Sequence, residues 1–103
     1  MAKLPVDYHP AARREVFDAF DWYQSHSQRA AGNFQREIEL AQADIQESPE
    51  RWPAYLIGTK KYLLKRYPYL VVYHVAESRI EIVAIAHASR KPGYWVDRLP
   101  SPH

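Results

Sequence analysis

A chain of 103 residues, 47% hydrophobic and 25% charged, has the length and composition of one globular domain; we expect a single domain over residues 1–103. It contains no cysteine, which excludes disulfides, thiolate metal sites and cysteine nucleophiles and fits a reducing compartment, the cytoplasm. The net charge of +2 is unevenly spread: residues 1–59 hold six Lys/Arg against nine Asp/Glu, and residues 60–103 hold eight against three, so the second half suits an acidic partner.

In chain order, residues 4–9 alternate weakly and stop at Pro10, which predicts a short first strand, at an edge because of Pro5. No apolar run near the N-terminus reads as a signal peptide. Ala12, Val16, Ala19, Phe20 and Tyr23 recur at helical spacing, predicting an amphipathic helix from Pro10 to Ser25. Ser27 has the chemistry of an N-cap for a second helix. There Phe34, Ile38, Ala41 and Ile45 follow 4-3-4 spacing, and Ser48-Pro49 ends the run. So short a connection predicts an antiparallel helical hairpin.

Beyond the loop 49–59, which Trp52 is expected to pin to the domain, the period changes from 3.6 to 2. Residues 60–66, 69–76 and 80–87 read as three strands joined by tight turns, followed by a tail over 88–103. The longest apolar stretch, 70–76, is interrupted by His74 and falls far short of the ~20 residues a bilayer needs, so no membrane role is expected. The order β-α-α-β-β-β predicts an α+β fold, with the helical hairpin on one face of a small, mostly antiparallel sheet.

Strict alternation along the last strand assigns Ile80, Ile82, Ala84 and Ala86 to one face and Glu81, Val83, Ile85 and His87 to the other. Both faces are apolar, and two helices cover only one. We therefore expect Leu70, Val72, Val83 and Ile85 to form a patch that a partner covers. The competing cover is the tail itself, folding back through Tyr94, Trp95 and Leu99.

Three glycines are too few for a phosphate-cradling loop, and five dispersed histidines form no metal-ligand spacing. No metal, cofactor or small-molecule ligand is expected. What remains is His87 at the end of the last strand, Arg90 and Lys91 after it, and Tyr94 and Trp95 beyond a Pro-Gly turn. Lys65 and Arg66 close an earlier strand. An imidazole to move a proton, cations to steady a phosphorane and an aromatic to stack on a base are what RNA cleavage needs. The plain alternative is that His87 ends a strand and Tyr94-Trp95 lids the core.

Taken together, Tyr8-His9-Pro10-Ala11-Ala12-Arg13-Arg14-Glu15, Asp21-Trp22-Tyr23, the stretch from Ile45 to Pro53, Tyr69-Leu70-Val71-Val72-Tyr73 and the segment from His87 to Trp95 resemble the RelE/ParE toxin superfamily of type II toxin–antitoxin (plasmid stabilisation) modules, over roughly residues 4–99. The resemblance implies an α+β bacterial toxin and a cognate antitoxin, placed here on Leu70, Val72, Val83 and Ile85. It implies one of two targets. ParE-like members inhibit DNA gyrase, through a basic region that here is Lys65, Arg66, Arg90, Lys91 and Trp95. RelE-like members are ribosome-dependent mRNA endonucleases, whose catalytic set would be His87, Arg66, Arg90 and Tyr94. Those nucleases tend to carry an Arg after the strand Tyr where this chain has Leu70, which favours the ParE-like reading. A degenerate, non-toxic binding module is the third possibility.

Overall fold

The computed structural model describes residues 3–100; the end of the predicted tail, 101–103, lies outside the described residues. The elements are β1 (Val6–Tyr8), α1 (Pro10–His26), α2 (Gln28–Glu47), β2 (Lys60–Leu63), β3 (Tyr69–Val75) and β4 (Ile80–His87), with single 3-10 turns at Leu56–Gly58 and Val96–Arg98. Two helices lie on a four-stranded mixed sheet, an α+β fold.

Local chemistry sets the helix ends. Pro10 opens α1, and the His9 ring at its N-cap accepts the Ala11 N–H through Nδ1 at 3.0 Å. Ser27 ends one helix and begins the next. Its own N–H donates to the Tyr23 carbonyl at 2.8 Å, while its hydroxyl accepts the Ala30 N–H at 3.2 Å. The predicted stripe of α2, Phe34, Ile38, Ala41 and Ile45, is buried throughout. On α1 the buried positions are Ala12 and Ala19, small enough to let the helix lie close to β4.

The strand order is β1-β4-β3-β2, with β1 parallel to β4 and the other pairs antiparallel. The helical hairpin provides the crossover that a parallel β1–β4 pairing requires. One layer of core lies under the helices: Phe34, Ile38, Ile45, Val71, Tyr73, Ile80, Ile82 and Ile85. A second lies on the opposite face: Val72, Val83, Ala84, Ala86 and Trp95, with Tyr55, Leu70, Tyr94, Val96 and Leu99 packed around them.

This second layer corrects two expectations. The register steps from Val72↔Ala84 to Tyr73↔Ile82, leaving Val83 as the extra residue of a β-bulge. A bulge resets the alternation, so Ile85 belongs to the helix-side core while Ala84 and Ala86 join the other layer. The supposed open face is also closed from within. Val72 and Val83 are 0% exposed and Ile85 is 2% exposed in the isolated chain, and Leu70 is half-buried against the second layer. The cover is the chain's own segment around Tyr94–Leu99, anchored by Trp95 at 1% exposure.

Candidate functional site

The chain leaves β4 at His87 and returns across the sheet, gathering the predicted site residues unequally. β1 ends at Tyr8, so β4 loses its neighbour on that side beyond Ile82, whose carbonyl still accepts the His9 N–H at 2.9 Å. The edge groups beyond it need other partners. Glu15 of α1 accepts the Ile85 N–H at 3.0 Å, and Arg98 donates to the Val83 carbonyl at 2.9 Å. Arg98 also grips both oxygens of Glu15, at 2.9 and 3.0 Å, and the Tyr94 hydroxyl donates to the same carboxylate at 2.7 Å. An ion pair thus stands where a strand would have been, and it ties the tail to α1.

The electrostatics follow from that geometry. Burial pulls the Glu15 carboxyl up, but the hydrogen bonds from Arg98, Tyr94 and the Ile85 amide outweigh it and hold the group below its ordinary value. Burial, and then the hydrogen bond to Glu15, push the Tyr94 hydroxyl up. The hydrogen bond from Arg98 to Glu15 raises the guanidinium further.

His87 is half-buried, its ring edge-on to Tyr69 with centroids 5.1 Å apart. Its Nδ1 faces the Ser89 N–H at 3.0 Å and the Ser89 hydroxyl at 2.7 Å, which leaves Nε2 as the nitrogen open to another group. Arg90 donates its backbone N–H to the His87 carbonyl at 2.9 Å and lays its guanidinium over the Tyr94 ring at 3.9 Å from the centroid. His87 and Arg90 therefore share one turn, and the Arg90 side chain links it to Tyr94 in the next.

The remaining candidates have other neighbours. The Lys65 and Arg66 amides donate to Glu37 Oε1 at 3.1 and 3.2 Å, and both residues line a cleft of about 430 Å³ between α2 and β2. Trp95, expected to meet nucleic acid, is buried and cannot stack on a base. Tyr94 has its hydroxyl committed to Glu15 and its ring to Arg90, so it too serves the fold. Arg90 and Lys91 remain exposed. Among the described residues no group of three or more His, Asp or Glu is placed to hold a metal ion, and no helix is long and apolar enough to cross a membrane.

Sequence reasoning passed over Glu15 and Arg98. The signal was present: Glu15 falls three residues after Ala12 and four before Ala19, on the buried stripe of α1, where a carboxylate needs a partner.

Residues 6–92 match the family model described as the ParE toxin of the type II toxin–antitoxin system, parDE. No sequence of a curated protein matches significantly. Among solved structures, a chain of the chromosomal ParDE TA system from P. aeruginosa is similar, with a TM-score of 0.73 at 17% identity, covering 84% of this chain and 98% of that one.

Proposed function

Because the chain belongs to the ParE toxin family of type II toxin–antitoxin systems, we propose that it is a toxin that inhibits DNA gyrase in the cytoplasm and is neutralised by a cognate antitoxin. The family match over residues 6–92 carries the reading. The state of the catalytic candidates supports gyrase over the ribosome. A ribosome-dependent nuclease needs a free proton-transfer group, a cation beside the phosphate and a stacking aromatic. His87 keeps Nε2 open, but the Tyr94 hydroxyl is held by Glu15, Trp95 is buried and unable to stack, and the position after Tyr69 is Leu70, which cannot stabilise a phosphorane.

With Val72, Val83 and Ile85 already buried, the antitoxin engages apolar side chains elsewhere. Phe17 and Trp22 on α1, Leu40 on α2 and Leu63 on β2 are between 56% and 65% exposed and offer it that apolar surface. The exposed cations Lys65, Arg66, Arg90 and Lys91 serve the target, whose DNA-bound surface is acidic.

The test is a supercoiling assay with purified chain, run beside a translating extract. Inhibition of supercoiling at micromolar chain, with no new mRNA 5′ ends, is expected. Unimpaired gyrase with new 5′ ends that vanish in the His87→Ala/Arg90→Ala double variant would replace this reading with the nuclease. Neither effect, with normal growth on induction, would leave a non-toxic binding module.

A further inference from the structure

Between Trp52 and β2 the chain makes a tight knuckle whose conformation works against its sequence. Ile57 lies at φ 53°, ψ 53°, the one non-glycine residue at positive φ among the described residues, and Gly58 follows at φ 72°. A β-branched side chain is strongly disfavoured in this left-handed region. Burial does not offset the strain, since Ile57 is 66% exposed and Leu56 beside it 40% exposed. Such a backbone persists only where its surroundings over-determine it, and here they do. The Tyr55 N–H donates to the Thr59 carbonyl at 2.8 Å, and the Thr59 N–H and hydroxyl donate to the Leu56 carbonyl at 3.1 and 2.6 Å. Thr59 is 2% exposed. The Tyr55 ring packs on Trp95 with centroids 5.9 Å apart, and Leu56 reaches over Gly93. The loop is therefore pinned to β2 and to the tail, and it presents Ile57 to solvent with Leu56 partly exposed beside it.

The chain segments that form and contact the knuckle carry charge of one sign. Residues 51–76 contain no Asp or Glu, nor do residues 82–96, which include the Gly93 and Trp95 that the knuckle touches. Lys61 stands 4.8 Å from the centroid of the Tyr55 ring, and Lys91 lies two residues before Gly93. A convex, preformed knob buries best in a concave, already folded surface, whereas an extended segment would need a groove to lie in. We infer that Leu56-Ile57 is a docking knob that inserts into an apolar pocket with an acidic rim on the folded target of the toxin. This rests on the gyrase reading above and names the contact that reading lacks.

Ile57→Gly and Ile57→Asn separate docking from folding, because both residues accept the left-handed conformation that isoleucine resists. Each variant is expected to melt at or above the wild-type temperature, yet to need roughly tenfold more protein for half-inhibition of gyrase supercoiling, the loss typical of an aliphatic anchor at an interface centre. Variants that inhibit at wild-type concentrations would overturn the knob while leaving the gyrase reading intact. Weaker inhibition with a lowered melting temperature would show a structural role and overturn it equally. Wild-type chain that leaves gyrase unimpaired would remove the gyrase reading itself, and the knob with it.

Discussion

The two faces of the sheet are closed by different means. On one, α1 contributes Ala12 and Ala19 and α2 contributes Phe34, Ile38, Ala41 and Ile45 to a core shared with Val71, Tyr73, Ile80 and Ile82, and aromatic pairs such as Phe34–Tyr67 and Phe34–Tyr69 reinforce the contact. On the other, a segment with only a single 3-10 turn holds the cover through one buried tryptophan and one ion pair. The helical side is redundant, so any one side chain shares its load with many. The tail side concentrates its load on Trp95, Glu15 and Arg98. Local opening begins where few buried contacts hold the backbone, so the tail is expected to release before the helical hairpin does.

Substitutions sharpen this contrast. Phe34→Ala is expected to cost about 4 kcal/mol in urea unfolding, with every spectroscopic probe moving together, because it hollows the shared core. Trp95→Ala is expected to cost about 3 kcal/mol and to make the native state bind hydrophobic dye, since Val72 and Val83 lose their lid. Dye binding by the Phe34 variant alone would reverse the assignment of the weaker face.

Glu15→Ala is expected to cost about 2 kcal/mol, because it leaves the Ile85 amide without its acceptor and the Arg98 guanidinium with only the Val83 carbonyl. Hydrogen exchange would report it as faster exchange of the Ile85 amide with the helical amides unchanged. Equal acceleration in α2 would mean that the tail and the hairpin open as one unit.

A smaller effect follows from pH. The folded Glu15 carboxyl titrates below its unfolded value, so its contribution is complete above the unfolded carboxylate range of about 4–4.5 and is lost as pH falls through the lower folded value. Acid is therefore expected to loosen the Trp95 environment ahead of global unfolding, as seen by Trp fluorescence, and Glu15→Gln is expected to flatten that early phase. An unchanged early phase in the variant would assign it to another carboxylate. Smallest of all, His87→Ala is expected to shift stability by less than about 1 kcal/mol, since the half-buried ring bonds to its near neighbour Ser89 and packs at right angles to Tyr69.

Much of this architecture was legible from periodicity. The α2 stripe is the clearest case, because helical spacing and burial coincide at Phe34, Ile38, Ala41 and Ile45. Strand phase was not legible. Ile82-Val83-Ala84-Ile85-Ala86 is apolar in both alternation phases, so a one-residue bulge leaves no mark in the pattern even though it moves Ile85 to the opposite face. The strand ends were overdrawn for a related reason: β2 stops at Leu63 rather than residue 66, because the Lys65 and Arg66 amides leave the ladder for Glu37. At the site, residue types were visible and their commitments were not. Tyr94 and Trp95 look like recognition residues in a basic tail, and only the fold gives their partners as Glu15 and the apolar layer.

Whether the chain acts on gyrase is answered most directly inside cells, by the topoisomer distribution of a reporter plasmid after the chain is induced without its antitoxin. A shift toward relaxed topoisomers before growth stops is the predicted result. Growth arrest with the distribution unchanged, or undisturbed growth, would contradict it.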